Sequence, residues 1–172
     1  MNITPLSSIT LRTYWVGGVE GAATDWNHPD NWSTREVPSS ISDVIIPNVS
    51  KDRHPFPIIT GEVRRIAHLE VCKHAKLILE RGAYLFVEGS RTYENGISVF
   101  GTLINKGKVE ILNAGRNCIE IEGGELMNQG TIFTDFPESE AIVFDQRSLF
   151  TQRGKCQLIG TTNTAKSYSL GR

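Results

Sequence analysis

The stretch GTLINKGKVEILNAGRNCIEIEGGELMNQGTIF, residues 101–133, contains the frame GxLxNxG twice, at 101–107 and at 124–130. Leu103 and Leu126 are 23 residues apart, and Leu149 follows at the same interval. Working outward, short apolar triplets recur three times per period. They are 69–71, 77–79 and 85–87; 97–99, 103–105 and 109–111; 119–121, 126–128 and 132–134; and 142–144, 149–151 and 156–158. Self-similarity at this period, with strand-like triplets between turn residues, is the signature of a solenoid whose coils bury one another. The expected fold is all-β: a right-handed, single-stranded parallel β-helix with three strands per coil and about five coils.

Successive strand residues alternate faces, so the first and third positions of each triplet are predicted to point inward. Leu, Ile and Val fill them, with Asn105, Asn128 and Thr151 as polar exceptions at the end of the second column. Asparagines stacked at one place in successive coils can satisfy buried backbone groups, which is a structural role. The glycines of the frame are read as corner residues with positive φ. In the last tier the frame becomes SLFTQRG, with one extra residue before Gly154.

The 172 residues suit one domain, with 1–40 as an N-terminal arm or cap, 41–158 as coils and 159–172 as a C-terminal tail. Apolar content of 39% supports a packed core, and a net charge of −1 gives no reason to expect nucleic acid. No run of 18 apolar residues suggests a membrane span. The opening residues MNITPLSSITLRTYW lack a basic region followed by an apolar core. Cys72, Cys118 and Cys156 are odd in number and scattered over the coils, which favours free thiols.

Residues 13–47 differ in kind. They hold all three tryptophans, Trp15, Trp26 and Trp32, among Asn, Asp, Gly and Pro, with one convincing strand at Val44-Ile45-Ile46 and a weaker one at Pro57-Ile58-Ile59 just beyond. The order WVGG (15–18), DWN (25–27), NWS (31–33), VP (37–38) and DVIIP (43–47), followed by GxLxNxG coils, resembles the start of large secreted bacterial surface proteins with β-helical or adhesin-like repeats. The resemblance implies an extracellular, non-catalytic surface module, secreted or on the cell surface, with its leader absent from this chain.

The outward middle positions distinguish the three faces. Column one (Glu70, Ser98, Glu120, Val143) reads as wet, and column three (Phe86, Glu110, Phe133, Gln157) as mixed. Column two (Ile78, Ile104, Met127, Phe150) is apolar throughout, a stripe that a monomer would rarely leave bare. Three explanations stay open: the N-terminal arm lays a tryptophan along it, a second subunit or domain packs on it, or the register is off by one.

Glycosidase chemistry needs converging carboxylates, and lyase chemistry a carboxylate-bound cation with a nearby base. Glu70, Glu80, Glu88, Glu110, Glu120, Glu122, Glu125, Asp135 and Asp145 are scattered instead, so no catalytic residues are assigned. The segment Trp26-Asn27-His28-Pro29-Asp30-Asn31-Trp32 has the aromatic and polar groups of a sugar site, and Trp26, Asn27, Asp30 and Trp32 are its candidate binding residues. Asp25, Asn27, Asp30 and Asn31 offer oxygens but lack the glycine and final glutamate of a calcium loop, and Asx-turns account for them. His68, Cys72 and His74 fit no zinc spacing. No metal and no cofactor is expected. The partners in view are a glycan or other cell-surface ligand, a second copy, or further domains of a longer chain. The alternative function is a carbohydrate-binding or carbohydrate-active, lyase- or hydrolase-like β-helix.

Overall fold

The structure is a computed structural model that describes residues 10–89, 95–135, 140–159 and 165–168. Strands β1 (Leu11–Tyr14), β2 (Ser42–Ile46) and β3 (Ile58–Ile59) begin the chain. Four triads follow: β4 (His68–Val71), β5 (Lys76–Leu79) and β6 (Tyr84–Val87), then β7 (Asn95–Val99), β8 (Thr102–Asn105) and β9 (Lys108–Leu112). The third triad is β10 (Asn117–Ile121), β11 (Glu125–Asn128) and β12 (Thr131–Asp135). The fourth is β13 (Glu140–Asp145), β14 (Leu149–Gln152) and β15 (Lys155–Ile159), and β16 (Ala165–Tyr168) ends the described chain.

These strands form three parallel sheets, in the orders β1-β2-β4-β7-β10-β13-β16, β3-β5-β8-β11-β14 and β6-β9-β12-β15. The molecule is therefore a three-sided parallel β-helix, with four complete coils and partial coils at either end. Like positions lie one above another: Leu69 on Ile97, Ile97 on Ile119 and Ile119 on Ile142 in sheet one, and Leu77 on Leu103 on Leu126 in sheet two. Those residues are wholly buried, because alternate side chains of each short strand enter the shared interior and every coil covers the next.

The boundary at residue 40 is crossed by the sheet. Leu11–Tyr14 already form its first rung, beside Ser42–Ile46. At the other end, β16 adds a rung beside β13 from within the expected tail. The cap is thus an excursion between the first two rungs of sheet one. In it, Trp15 bridges Trp32 in antiparallel fashion, and the indoles of Trp15 and Trp26 meet that of Trp32 edge-on, with centroids 5.1 and 4.7 Å apart. All three are 1% exposed and belong to the same apolar core as the coils. Gly17 has φ +69, and a Cβ there would stand 2.7 Å from Trp15 Nε1 and 2.9 Å from the Pro55 carbonyl that this nitrogen donates to.

One register differs from expectation. β14 pairs Leu126 with Phe150 and Asn128 with Gln152, so Phe150 takes the inward row and Leu149 is 54% exposed. The equal spacing from Leu126 to Leu149 is a coincidence of counting. Four residues, 145–148, turn the corner where three, 122–124, do so one coil earlier. Asp145 holds the longer corner: its carboxylate accepts from Ser148 Oγ, from Arg147 N (3.2 Å) and Nε (2.9 Å), and from Gly123 N (3.1 Å). The frame then continues intact as SxFxQxG, 148–154, in register with GxLxNxG.

The asparagine ladder accordingly runs Asn105, Asn128, Gln152, with Thr151 outside it. Asn105 Nδ2 donates to Asn128 Oδ1 at 2.8 Å and to the Thr131 carbonyl at 3.0 Å. Asn128 Nδ2 donates to Gln152 Oε1 and to the Lys155 carbonyl, both at 3.1 Å. The frame glycines serve close approach rather than positive φ. A Cβ at Gly130 would lie 2.0 Å from the Gly107 carbonyl oxygen, and one at Gly154 would lie 2.0 Å from that of Gly130.

Candidate functional site

The head offers polar groups, but its tryptophan rings face inward. Asn31, fully buried, organises the loop: its carbonyl accepts from Val16 N and Gly17 N, Oδ1 accepts from Val19 N, and Nδ2 donates to the carbonyls of Ala22 (2.7 Å) and Asp25 (2.9 Å). Asp25 Oδ1 accepts from Asn27 N at 2.9 Å, an Asx-turn. Trp32 Nε1 donates to the Trp26 carbonyl at 2.8 Å. Asn27 and Asp30 are exposed, whereas Trp26 and Trp32 are sealed in the core, so these four do not form a stacking platform for a sugar. The physical reason is area: large rings stabilise most when they plug the apolar end of the coil.

The outward stripe of sheet two is also altered. Ile78, Ile104 and Met127 occupy one row, half-buried, and Ile58 extends it by one rung toward the head. Phe150 is not part of it, since the register shift puts Thr151 beside Met127. The three tryptophans belong to the buried core cluster, of which Ile78, Ile104 and Met127 are not members. The spacing from Leu69 to Ile97, longer than that from Ile97 to Ile119, predicts a protruding corner loop near 90–95, and its Arg91 and Tyr93 lie outside the described residues.

Most carboxylates on the coils are engaged by a neighbour. Glu80 pairs with Lys106 at 2.9 Å and Glu88 with Arg65 at 2.9 Å. Glu110 accepts from Tyr84 Oη at 2.8 Å and Lys108 Nζ at 2.7 Å, while Lys108 also lies 4.7 Å from the Tyr84 ring centre. The Lys108 hydrogen bond is the main cause that holds the Glu110 carboxyl below its ordinary range. Burial and Glu110 together push the Tyr84 phenol up to about 12. Glu120 accepts from Asn95 Nδ2 at 2.5 Å. At the start of sheet one, Asp43 accepts from Arg12 Nε at 3.0 Å and approaches His68 Nδ1 at 2.9 Å. Burial raises the Asp43 carboxyl, but hydrogen bonds from His68 and Arg12 outweigh it and lower it overall. Among the described residues, no three His, Cys, Asp or Glu side chains gather as a metal-holding group.

Among the described residues, one concave feature is a groove at the corner between sheets one and two. Two adjoining hollows, of about 470 and 340 Å³, share Lys73, Phe100, Gly123 and Arg147. Part of their wall comes from the residues that follow the first three column-one triplets, Cys72, Phe100 and Glu122. Cys72, Phe100, Glu122 and Asp145 continue the strand ladder, with Phe100 N donating to the Val71 carbonyl (2.8 Å) and Glu122 N to that of Val99 (3.0 Å). Glu70 and Glu122 bring carboxylates, and Arg147 reaches Glu122 at 3.7 Å. Cys72 Sγ donates to Glu70 Oε1 at 3.3 Å, and burial followed by that carboxylate pushes the thiol up to about 12, so it stays protonated. His74 sits at the third position of the turn closed by Ala75 N to the Cys72 carbonyl, with φ +64, where glycine is the relaxed choice.

Inspection of triplet centres alone misses this groove, although the sequence signal was present in the residues just after them. No family model matches the chain, and comparison with curated proteins and with solved structures gives no match.

Proposed function

We propose that the chain is a non-catalytic module of a secreted or cell-surface protein, a stiff β-helical body with a structural or adhesin-like role. The observation that carries this reading is the use of its chemistry-bearing side chains. Tryptophans plug the end of the coil, asparagines bond rung to rung, and carboxylates are engaged by a neighbouring lysine, arginine, tyrosine or amide. Such pairing favours a persistent shape over proton transfer at a reacting bond. Among the described residues no helix is long and apolar enough to cross a membrane, which is compatible with a module held outside a bilayer.

Two measurements test it. Incubation of the chain with a panel of polysaccharides is expected to release neither reducing ends nor unsaturated sugars, and turnover of any of them overturns the non-catalytic assignment. Protease treatment of intact producing cells is expected to remove the protein, and full protection overturns the surface assignment. A carbohydrate-binding role for the same body is favoured by the corner groove rather than by the head.

A further inference from the structure

We propose that two copies of the chain pair tail to tail through the last coil of the β-helix, about a two-fold axis that passes through β15. The two ends of the coil are finished differently. At the head, the first strand of each sheet is met by a further segment. Ser33 N donates to the Tyr14 carbonyl (2.9 Å) and Val16 N to that of Asn31 (2.8 Å), so a return segment lies along the end of β1. Ile58 N donates to the Thr24 carbonyl (2.9 Å), and Val63 N and Ile66 N donate to those of Tyr84 (3.1 Å) and Phe86 (3.0 Å). The three tryptophans fill the interior there.

The tail lacks such a finish. β14, β15 and β16 are the last strands of their sheets, each with one neighbour among the described residues. Phe150, Cys156 and Leu158 continue the inward rows above Leu126, Ile132 and Thr134. The lower three are wholly buried, whereas the upper three are partly exposed. A strand edge beside an open apolar interior is a template for another strand.

The geometry selects the occupant. A lone peptide strand fills one of three edges, and the head of a second copy has its edges and interior already taken. The tail of a second copy offers three edges around the same opening. Because the coil is single-stranded its end is a step, with β14, β15 and β16 each about a third of a rung above the one before. A two-fold axis through β15 sets that strand against its own copy and the low β14 against the high β16 of the other chain, so the step closes on itself. Every pairing is antiparallel, since the rotation reverses strand direction. Centred on Gln157, it brings Cys156 opposite Leu158 of the partner subunit, inward row to inward row, and Lys155 opposite Ile159 of the partner subunit, so no like charges meet along β15. Lys155 N donates to the Gly130 carbonyl (2.7 Å), which turns the backbone of Lys155 and Gln157 toward β12 and leaves that of Cys156 and Leu158 on the free edge. Gln157 then meets its own copy as a non-hydrogen-bonded pair, with Cα atoms about 4.5 Å apart. Such closed pairing also ends growth, where head-to-tail contacts would build a fibre.

Sedimentation velocity of the 172-residue chain over a range of concentrations tests the proposal, and a dimer is expected. Leu158→Lys puts a charge into the inward row at the junction, where the single chain leaves it partly exposed, and is expected to sediment as a monomer with the parent's circular dichroism. Gln157→Cys is expected to give a disulfide-linked dimer on mild oxidation, whereas the parent and Lys76→Cys, an exposed site on an inner coil, are not. A parent that stays monomeric overturns the proposal, whether or not the chain covers its own end. So do assemblies that lengthen with concentration, a folded Leu158→Lys that remains dimeric, or cross-linking of Lys76→Cys as ready as that of Gln157→Cys. Should Leu158→Lys fail to fold, Gln157→Cys decides: a linked dimer supports the pairing, and its absence overturns it.

Discussion

The side-chain amide of Asn105 donates to the side-chain oxygen of Asn128 at 2.8 Å, and both residues are fully buried one coil apart. Neither can turn to water, so each depends on the other and on the carbonyls of the following strand. Asn128→Ala removes one of the two acceptors of the Asn105 amide and leaves the Lys155 carbonyl without its side-chain donor. The expected loss is about 2–4 kcal/mol, from unmade bonds at buried polar groups. Urea unfolding measures it, and a loss below about 1 kcal/mol would show that the ladder is incidental.

Trp32 is the middle ring of the head. Trp32→Ala removes both edge contacts and opens the end of the interior, at an expected cost of about 3–5 kcal/mol. A ring that merely waited for ligand would be replaced at little cost, so thermal or urea unfolding separates plug from platform.

Gly130 and Gly61 make a matched pair. Gly130→Ala drives a Cβ into the carbonyl of Gly107, whereas the space at Gly61 is open and its backbone ordinary. Gly130→Ala is expected to give insoluble or strongly destabilised protein, by more than about 3 kcal/mol, and Gly61→Ala to change stability by less than about 1 kcal/mol. Circular dichroism melts of the two variants check the contrast.

Asp145 ties acid stability to one corner. Burial raises its carboxyl, but hydrogen bonds from Ser148, the Gly123 amide and Arg147 outweigh that and hold it at about 2, below the ordinary value of 3.8. A folded-state value below the unfolded one stabilises at pH above 3.8, and the benefit is lost as pH falls toward 2, about 2 kcal/mol in all. Asp145→Asn is therefore expected to differ most from the parent above pH 4 and to converge with it near pH 2. Urea midpoints across that window read the difference, and parallel curves would contradict it.

The apolar row of sheet two is half-buried, and the three tryptophans lie in the core cluster rather than in that row. Ile104→Lys combined with Met127→Glu places opposite charges on adjacent rungs, and is expected to fold with a change of less than about 1 kcal/mol. Melting and light scattering follow it. Loss of folding would mean that the row is covered within the chain.

The coil architecture was legible because the alternation of β-branched and leucine residues, as in Ile97-Ser98-Val99 above Ile119-Glu120-Ile121, fixes both face and register. The last tier misleads because three equally spaced leucines imply equal corners, whereas the Asp145 turn holds one residue more. The tryptophans pointed correctly to a cap. Which way their rings face was not readable, since Trp among Asn, Asp and Gly has the same composition in a plug as in a platform, and the hydrogen bonds of Asn31 decide it in three dimensions. The groove lies on corner residues that a strand-by-strand reading passes over. A second ladder, from Asn117 Nδ2 to Asn95 Oδ1 at 3.0 Å, was hidden because it precedes the apolar triplets.

The corner at 145–148 takes one residue more than the corner beneath it, yet the rows on either side resume in step. Length can thus change at the vertices of the triangle without disturbing its interior. Insertions there would enlarge or reshape the outer surface while the stacked hydrocarbon stays as it was, which separates the evolution of what the molecule touches from the evolution of how it stands.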